Sequence, residues 1–481
     1  MRPLLLFPDR DLPTDLADPA DEHLVEDLRL DVLWDAMARD DEHVRATARR
    51  VLLDPLQDVA VIDHRQSVLA DFLEHPAELR ALHRLADTAV RAEQALPHGS
   101  GEGLLRRSVR ALEVASGHLR ALRESGSRFT APPLVRLFAE LRERVGEAYL
   151  GEVADVLRRL RFEDGIVVGA RLGDGPGDVV YQVREPGDAA EVKRLRKSGL
   201  RHRIIGHDEQ DWRAMAAFRA EALGDIAVAV TESAAHVTGY FRALRAELAF
   251  YLGCLNLAED LAGVSAAPTC WPDPTAASVT ARGLWEPCLA LWSREAVVGN
   301  DINTDTDTDT DTGELPLVVV TGANRGGKST FLRSLGLAQV MAQAGMFVCA
   351  ESFAAPPAPA VLTHFTRAED RSMASGRLDE ELGRMSALVD RARPGALLLS
   401  NESFASTTDH EGAEIAEGVL GALVDSGVRV VAVTHLHLLA ERLHRTRPGL
   451  FLVAGGGFRV VPGAPAPSAQ AAALYDQVMG G

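Results

Sequence analysis

The chain has 481 residues, a length that suits about three domains with room for a substantial core. Its apolar content of 46% and charged content of 25% are those of an ordinary soluble globular protein, and its net charge of -18 excludes a surface that is basic throughout. Any contact with nucleic acid must therefore be a local patch.

The start of the chain has an apolar run only from Leu4 to Phe7, too short for a signal peptide, and no later run approaches membrane-spanning length. Residues 1–20, rich in Pro and Asp, read as an irregular lead-in. From Glu22 to about Arg161 apolar residues recur at three-and-four spacing among Leu, Ala, Arg and Glu, which predicts a bundle of helices punctuated at Asp54-Pro55 and Pro132-Pro133. The texture then changes: Ile166–Ala170 and Val179–Val183 are strand-like and separated by Gly-Asp-Gly-Pro-Gly, so a small β-rich insertion is expected over about 165–206. Its far end holds the densest basic cluster of the chain, Lys193, Arg194, Arg196, Lys197, Arg201 and Arg203. That cluster reads either as a solvated face or as a contact to a phosphate backbone, and the absence of interleaved aromatics gives no support to base stacking.

Helix is predicted again from Asp208 to about Leu261, with Gly224 and Gly239 as places where it could break, followed by a Pro-rich link over about 265–284. Over residues 303–312, Asn303 is followed by alternating Thr and Asp. They lack the Gly and Glu that a calcium loop needs at its sixth and twelfth positions, and read as a disordered acidic loop. The four cysteines, Cys254, Cys270, Cys288 and Cys349, show no C-x-x-C spacing, so neither a zinc site nor a disulfide framework is indicated and a reducing, cytoplasmic setting fits.

The stretch with explicit chemistry begins at Val318. A strand-like run to Thr321 enters Gly322-Ala323-Asn324-Arg325-Gly326-Gly327-Lys328-Ser329-Thr330, which has the spacing G-x-x-x-x-G-K-[ST] of a P-loop, and an apolar-periodic helix follows. Glycines at 322, 326 and 327 let backbone N–H groups approach phosphate oxygens at the positive end of that helix. Lys328 is placed to reach the β- and γ-phosphates of ATP, and the Ser329 hydroxyl to bind Mg²⁺. The chain has three lysines (193, 197 and 328) against 48 arginines, so a lysine at this position points to a need for a compact ammonium. Downstream, Ala396–Ser400 reads as a buried strand ending in Asn401-Glu402, where P-loop ATPases carry a magnesium-organising acid and a water-activating carboxylate. Glu402 is the natural general base. A third strand, 428–433, ends in Thr434-His435, with His435 placed to sense the γ-phosphate or to serve as a structural histidine.

These segments together resemble the MutS family of DNA mismatch-repair ATPases. The loop at 321–330 is similar to T-G-P-N-M-G-G-K-S-T, Ala374-Ser375-Gly376-Arg377 to A-S-G-R, residues 401–407 to D-E-I-G-R-G-T, and Thr434-His435 to T-H. Leu52–Asp58 with Arg65–Leu69 resembles the start of the family's helical core. The resemblance implies an α/β P-loop NTPase domain of ABC-like type over 285–481, preceded over 1–264 by a helical core or lever domain with its β-rich insertion. It further implies a homodimer in which Ser375 or its neighbours reach the partner's nucleotide, Mg-ATP hydrolysis that drives closure on DNA, and a basic insertion where the family grips DNA. Four departures accompany it. Asn401 replaces the family's Asp, Leu378 its Ser, and Val297 a Phe that stacks on adenine. The helical part also begins almost at once, so a mismatch-reading domain is not expected. An alternative class is a nucleotide-dependent switch or scaffold with weak hydrolysis and a protein partner, favoured by Asn401 and the acidic charge. A small-molecule kinase fits less well, because no acceptor-binding lid is evident.

Overall fold

The computed structural model describes residues 1–13, 22–97, 102–126, 128–161, 167–172, 179–184, 209–305, 314–323, 325–366 and 376–465. The chain forms two units, one of Met1–Pro3, Arg80–Thr130 and Leu134–Arg245, the other of Leu4–Leu79, Ala131–Pro133 and Ala246–Gly481.

The first unit is mainly helical. It takes in most of α5 (Pro76–Gln94), α6 (Glu102–Glu124), most of α7 (Pro132–Arg144), α8 (Glu147–Leu160) and the first part of α9 (Glu209–Val264). Leu105, Val109 and Leu112 recur at helical spacing on α6 and pack with Leu157 of α8 and Leu223 of α9. A buried carboxylate, Glu93, is shared by Arg107 at 2.7 Å and Arg242 at 2.6 Å, so its charge is met from two helices. Helix α9 runs 56 residues without interruption through Gly224 and Gly239. Each glycine costs a helix only about 1 kcal/mol relative to Ala, too little to break it alone. The expected β-rich insertion contains β1 (Val167–Leu172) and β2 (Val179–Arg184), antiparallel, with Val167 opposite Arg184. Its basic residues Lys193, Arg194, Arg196, Lys197, Arg201 and Arg203 lie outside the described residues.

The second unit is built on a six-stranded sheet. Four of its strands are β5 (Leu317–Gly322), β7 (Val361–Phe365), β8 (Leu397–Asn401) and β9 (Arg429–Val433). With β10 (Leu450–Ala454) and β11 (Val460–Pro462) the order is β11-β10-β5-β9-β8-β7, parallel except for β11 at the edge. β5, β7 and β9 are buried nearly end to end, as near-continuous Val and Leu runs in a parallel sheet require. Crossover helices include α11 (Lys328–Gln343) after β5 and α13 (Asp409–Asp425) after β8, with α12 (Arg377–Arg391) between β7 and β8 and α14 (His437–Thr446) after β9. A second sheet of three antiparallel strands joins β4 (Asn300–Asn303), β3 (Thr280–Leu284) and β6 (Ser352–Ala354).

Two stretches are more integrated than their composition suggests. The N-terminal segment is irregular but not peripheral: Leu5, Leu6 and Phe7 are among the most buried side chains, Glu247 accepts the Leu5 amide at 2.6 Å, Arg65 donates to the Leu6 carbonyl and Tyr251 to that of Leu5. The segment expected as a linker is paired into the second unit, with Cys270 and Val348 exchanging backbone hydrogen bonds of 3.0 and 2.9 Å, followed by β3. Pro272 and Pro274 are buried along with Val279 and Ala281, so the segment contributes to the core and does not merely connect. Of the Thr-Asp tract, residues 306–313 lie outside the described residues, while Leu315 donates back to the Thr304 carbonyl at 2.8 Å. Among the described residues no helix is long and apolar enough to cross a membrane.

Candidate functional site

The P-loop leaves the C-terminal end of β5 and turns into α11, the strand-loop-helix order its spelling calls for. At Gly322 φ is +114°, and a Cβ there would stand 2.4 Å from the Ala454 carbonyl oxygen, so β10 leaves space for glycine alone. Gly327, at φ +87°, caps α11; Arg325, at φ +62°, is exposed. The first-turn N–H groups of a helix have no intrahelical acceptor, so the start of α11 at Lys328 is suited to an anion. Lys328 is buried, and its Nζ donates to the carbonyls of Gly322 at 2.9 Å and Ala323 at 3.0 Å. Burial lowers its pKa, opposed by the charge of Glu402.

Parallel pairing brings the other half of the site to the same edge. Asn401, the last residue of β8, accepts the Ser329 hydroxyl on Oδ1 at 2.9 Å. Glu402 follows in the left-handed region at φ +55°, its amide bonded to the Val433 carbonyl at 2.8 Å and its own carbonyl to the Thr366 hydroxyl at 2.5 Å. A cavity of about 440 Å³ is lined by the loop residues 325–330 and by Glu402. The His435 Nδ1 is 4.0 Å from the Glu402 carboxylate, beyond hydrogen-bond reach, and His435 is not among the cavity's lining residues. Thus Gly322, Ala323, Arg325, Gly326, Gly327, Lys328, Ser329, Thr330, Asn401 and Glu402 are brought together, with His435 at the margin. Asn324 and Ser375 lie outside the described residues.

Away from the loop residues the lining includes the apolar Leu289, Val297, Val298 and Phe458, with Ser293, Glu295 and Asn300 among them. Phe458 is a residue that sequence reading missed. It lies 130 residues beyond Lys328, is 57% exposed, and takes φ +62° on the turn between β10 and β11. Asn300 holds that turn in two ways, donating to the Phe458 carbonyl at 3.2 Å and accepting the Val460 amide at 2.8 Å. The Gly-Gly-Gly run at 455–457 was the available signal, since it marks a tight turn directly before an aromatic residue.

The donor set fits a nucleoside triphosphate with a divalent cation: a glycine-lined amide cradle, one buried ammonium, a hydroxyl paired with an amide oxygen, and a carboxylate. Comparison with known proteins agrees with that geometry. A family profile described as the MutS2 N-terminal domain matches residues 57–264, and one described as MutS domain V matches residues 318–448. The chain belongs to the MutS family. The relatives it resembles include the DNA mismatch repair protein MutS of Thermotoga maritima, 30% identical over 39% of this chain and 24% of that protein. The MutS of Shouchella clausii is 33% identical over 32% of this chain and 17% of the relative. DNA mismatch repair protein MSH3 of Pyricularia oryzae is 34% identical over 26% and 11%. The chain thus spans about a quarter or less of the length of these curated MutS relatives. MutS domain V covers β5, but for Leu317, through the whole of α14 and so includes every described residue of the phosphate end of the site, whereas Phe458 falls beyond it.

Proposed function

We propose that this MutS-family chain binds Mg-ATP on the loop 322–330, hydrolyses it slowly, and uses the nucleotide to drive opening and closing of a homodimer on DNA. The observation that carries this reading is that Lys328, Ser329 and Glu402 line one cavity, with Asn401 bonded to the Ser329 hydroxyl beside it. In this scheme the Lys328 ammonium leaves the carbonyls of Gly322 and Ala323 for phosphate oxygens, exchanging neutral acceptors for charged ones. Ser329 and Asn401 would hold magnesium, whose contribution is to neutralise developing phosphate charge. Glu402, fixed through both its amide and its carbonyl, takes the proton from an attacking water, and His435 serves as the sensor of the γ-phosphate. The purine lies against Phe458, in the role that a Phe at the position of Val297 plays in the related ATPases. Ser375 serves as the contact to the partner's nucleotide, and Lys193, Arg194, Arg196, Lys197, Arg201 and Arg203 as the DNA contact.

A second reading, a nucleotide-dependent switch with weak turnover and a protein partner, is favoured by Asn401, which gives Ser329 a neutral rather than an anionic acceptor. One experiment separates the two. ATPase rates with duplex, mismatched, branched and single-stranded DNA are measured for the native chain, Lys328→Ala and Glu402→Gln. The proposal expects DNA-dependent turnover, lost binding in the first variant, and binding without turnover in the second. Turnover indifferent to every DNA would favour the switch.

A further inference from the structure

Behind the proposed catalytic turn lies a buried polar chain that the hydrolytic reading does not use. His364 on β7, Ser400 on β8 and Ser403 in the turn are all buried, and none of them is among the lining residues of the nucleotide cavity. The direction of their hydrogen bonds follows from one fixed point. His364 Nε2 is 3.1 Å from the Glu381 carbonyl oxygen, which can only accept, so Nε2 carries the ring proton. Nδ1 is therefore an acceptor, and the Ser403 hydroxyl at 2.6 Å donates to it. Ser403 Oγ also lies 3.2 Å from the His364 carbonyl oxygen, but its one proton goes to the shorter contact with Nδ1, and the Ser400 hydroxyl at 2.7 Å donates in turn to Ser403 Oγ. Burial, reinforced by the nearby Arg384 cation, lowers the His364 pKa to about 4, so the ring is neutral and this order stands at neutral pH.

The chain ends on both sides at places that matter to Glu402. Ser403 stands between Glu402 at φ +55° and Phe404 at φ +61°, two side-chain-bearing residues in the left-handed region. Such a pair persists only where the surroundings over-determine it. The buried Ser403 hydroxyl is the anchor between them. At the other end Glu381 belongs to α12, which begins at Arg377, the last residue of the stretch that resembles A-S-G-R. Glu381 touches the turn twice: its backbone carbonyl through His364, and its carboxylate through the Ser406 hydroxyl at 3.2 Å. The motif that 401–407 resembles has Ile at the position of Ser403 and Gly at that of Phe404, so this chain has a hydroxyl anchor where the motif has none and strain where it has freedom.

We propose that His364 and Ser403 are positioning residues for Glu402: they hold the 402–404 turn in its left-handed course and tie it to α12, so that the carboxylate's placement follows that helix. The inference rests on Glu402 being the base. The Ser–His pair is not read as an activated nucleophile, because Ser403 is enclosed and does not line the cavity.

The test uses the full chain with Ser403→Ala, which removes the anchor, and His364→Gln, whose amide can still reach Glu381 but not Ser403. Three quantities are measured for each: kcat, ATP dissociation constant, and hydrogen–deuterium exchange of the peptides covering 400–408 and 323–332. The expected result is a kcat reduced about tenfold or more with the ATP dissociation constant within twofold of native. Exchange should accelerate about tenfold at 402–404 and stay unchanged in the P-loop. Native exchange at 402–404, or native kcat in Ser403→Ala where Glu402→Gln abolishes turnover, overturns the inference and leaves the base assignment intact. Loss of ATP affinity in step with kcat overturns it as well, since that is the signature of general unfolding. A Glu402→Gln variant that turns over normally removes the base assignment, and the inference with it.

Discussion

Phe458 offers the sharpest quantitative test of the nucleotide site, because its proposed role and its structural role are separable. An aromatic side chain has about 150–250 Å² of surface, so a Phe that is 57% exposed leaves roughly 100 Å² accessible, of which one ring face is about half. Covering about 50 Å² with a base at about 25 cal/mol per Å² stabilises the complex by about 1.3 kcal/mol. Ring stacking adds about 0.5–1.5 kcal/mol. Phe458→Ala should therefore weaken ATP binding by about 2–3 kcal/mol, roughly 30- to 150-fold. The fold should hardly notice the change, since the ring is largely outside the core and its φ of +62° is a strained one for any bulky residue. Titration calorimetry with ATP and with inorganic tripolyphosphate isolates the effect, because the second ligand uses the phosphate cradle but has no base. The expected outcome is a selective loss for ATP. Equal losses for the two ligands, or none for ATP, would refute the placement of the purine against Phe458.

Three further predictions follow from particular contacts. Asn401→Asp keeps the acceptor for the Ser329 hydroxyl and adds a negative charge beside it, so the magnesium concentration that half-supports ATP binding should fall by about 10- to 100-fold; a midpoint within twofold of native would show that Asn401 does not adjoin the metal. Phe404 is fully buried in the cluster with Leu398, Leu436 and Leu439, yet sits at φ +61°. Phe404→Ala should cost about 3–5 kcal/mol, and Phe404→Gly less by about 1 kcal/mol because glycine relieves the left-handed backbone, an inversion of the usual order that urea unfolding would reveal or exclude. Glu247, fully buried, has its pKa pushed up to about 8 by burial, and the amides of Leu5 and Leu6 only partly oppose this. The folded chain therefore keeps a proton that the unfolded chain loses above about 4.5, so this group's contribution to stability is full below that pH and declines as pH rises to 8. Glu247→Gln should flatten the decline of the melting temperature between pH 5 and 8, and an unchanged slope would mean the carboxyl is ionised in the fold.

How much of this was legible in the sequence depends on how local the determining physics is. The geometry of the P-loop was readable because it is written in consecutive residues: the glycines at 322 and 327 are needed for backbone angles there, and Lys328 and Ser329 open the helix that follows. The end of β8 was readable because a buried strand one crossover away must deliver its last residues, Asn401 and Glu402, to the same sheet edge. Phe458 was not readable, since its place depends on Ala454 of β10 pairing with Gly322 of β5, a register that no local pattern specifies. The burial of Leu5–Phe7 escaped for a related reason: the partners Arg65, Glu247 and Tyr251 lie tens to hundreds of residues away, and a four-residue apolar run carries no periodicity.

The same distinction bears on how the site departs from its family pattern. Asn401 for Asp is visible in the sequence as a lost charge, whereas nothing in the sequence marks Ser403 and Phe404 within 401–407. In three dimensions they are the more consequential pair. Phe404 brings a full aromatic side chain into the core at a position where the motif's Gly would move freely, and the backbone it strains is the one that aims Glu402. A turn with Gly at that position can adopt its left-handed course at little cost, but it can equally leave it. Here the course is held by burial on one side and by the Ser403–His364 hydrogen bond on the other. The rigidity of the catalytic turn is thus supplied by residues that touch neither nucleotide nor metal in the proposed scheme. Substitution at 403 or 404 should accordingly affect turnover through the placement of Glu402 and leave the phosphate cradle, which is built on a different strand, unaltered.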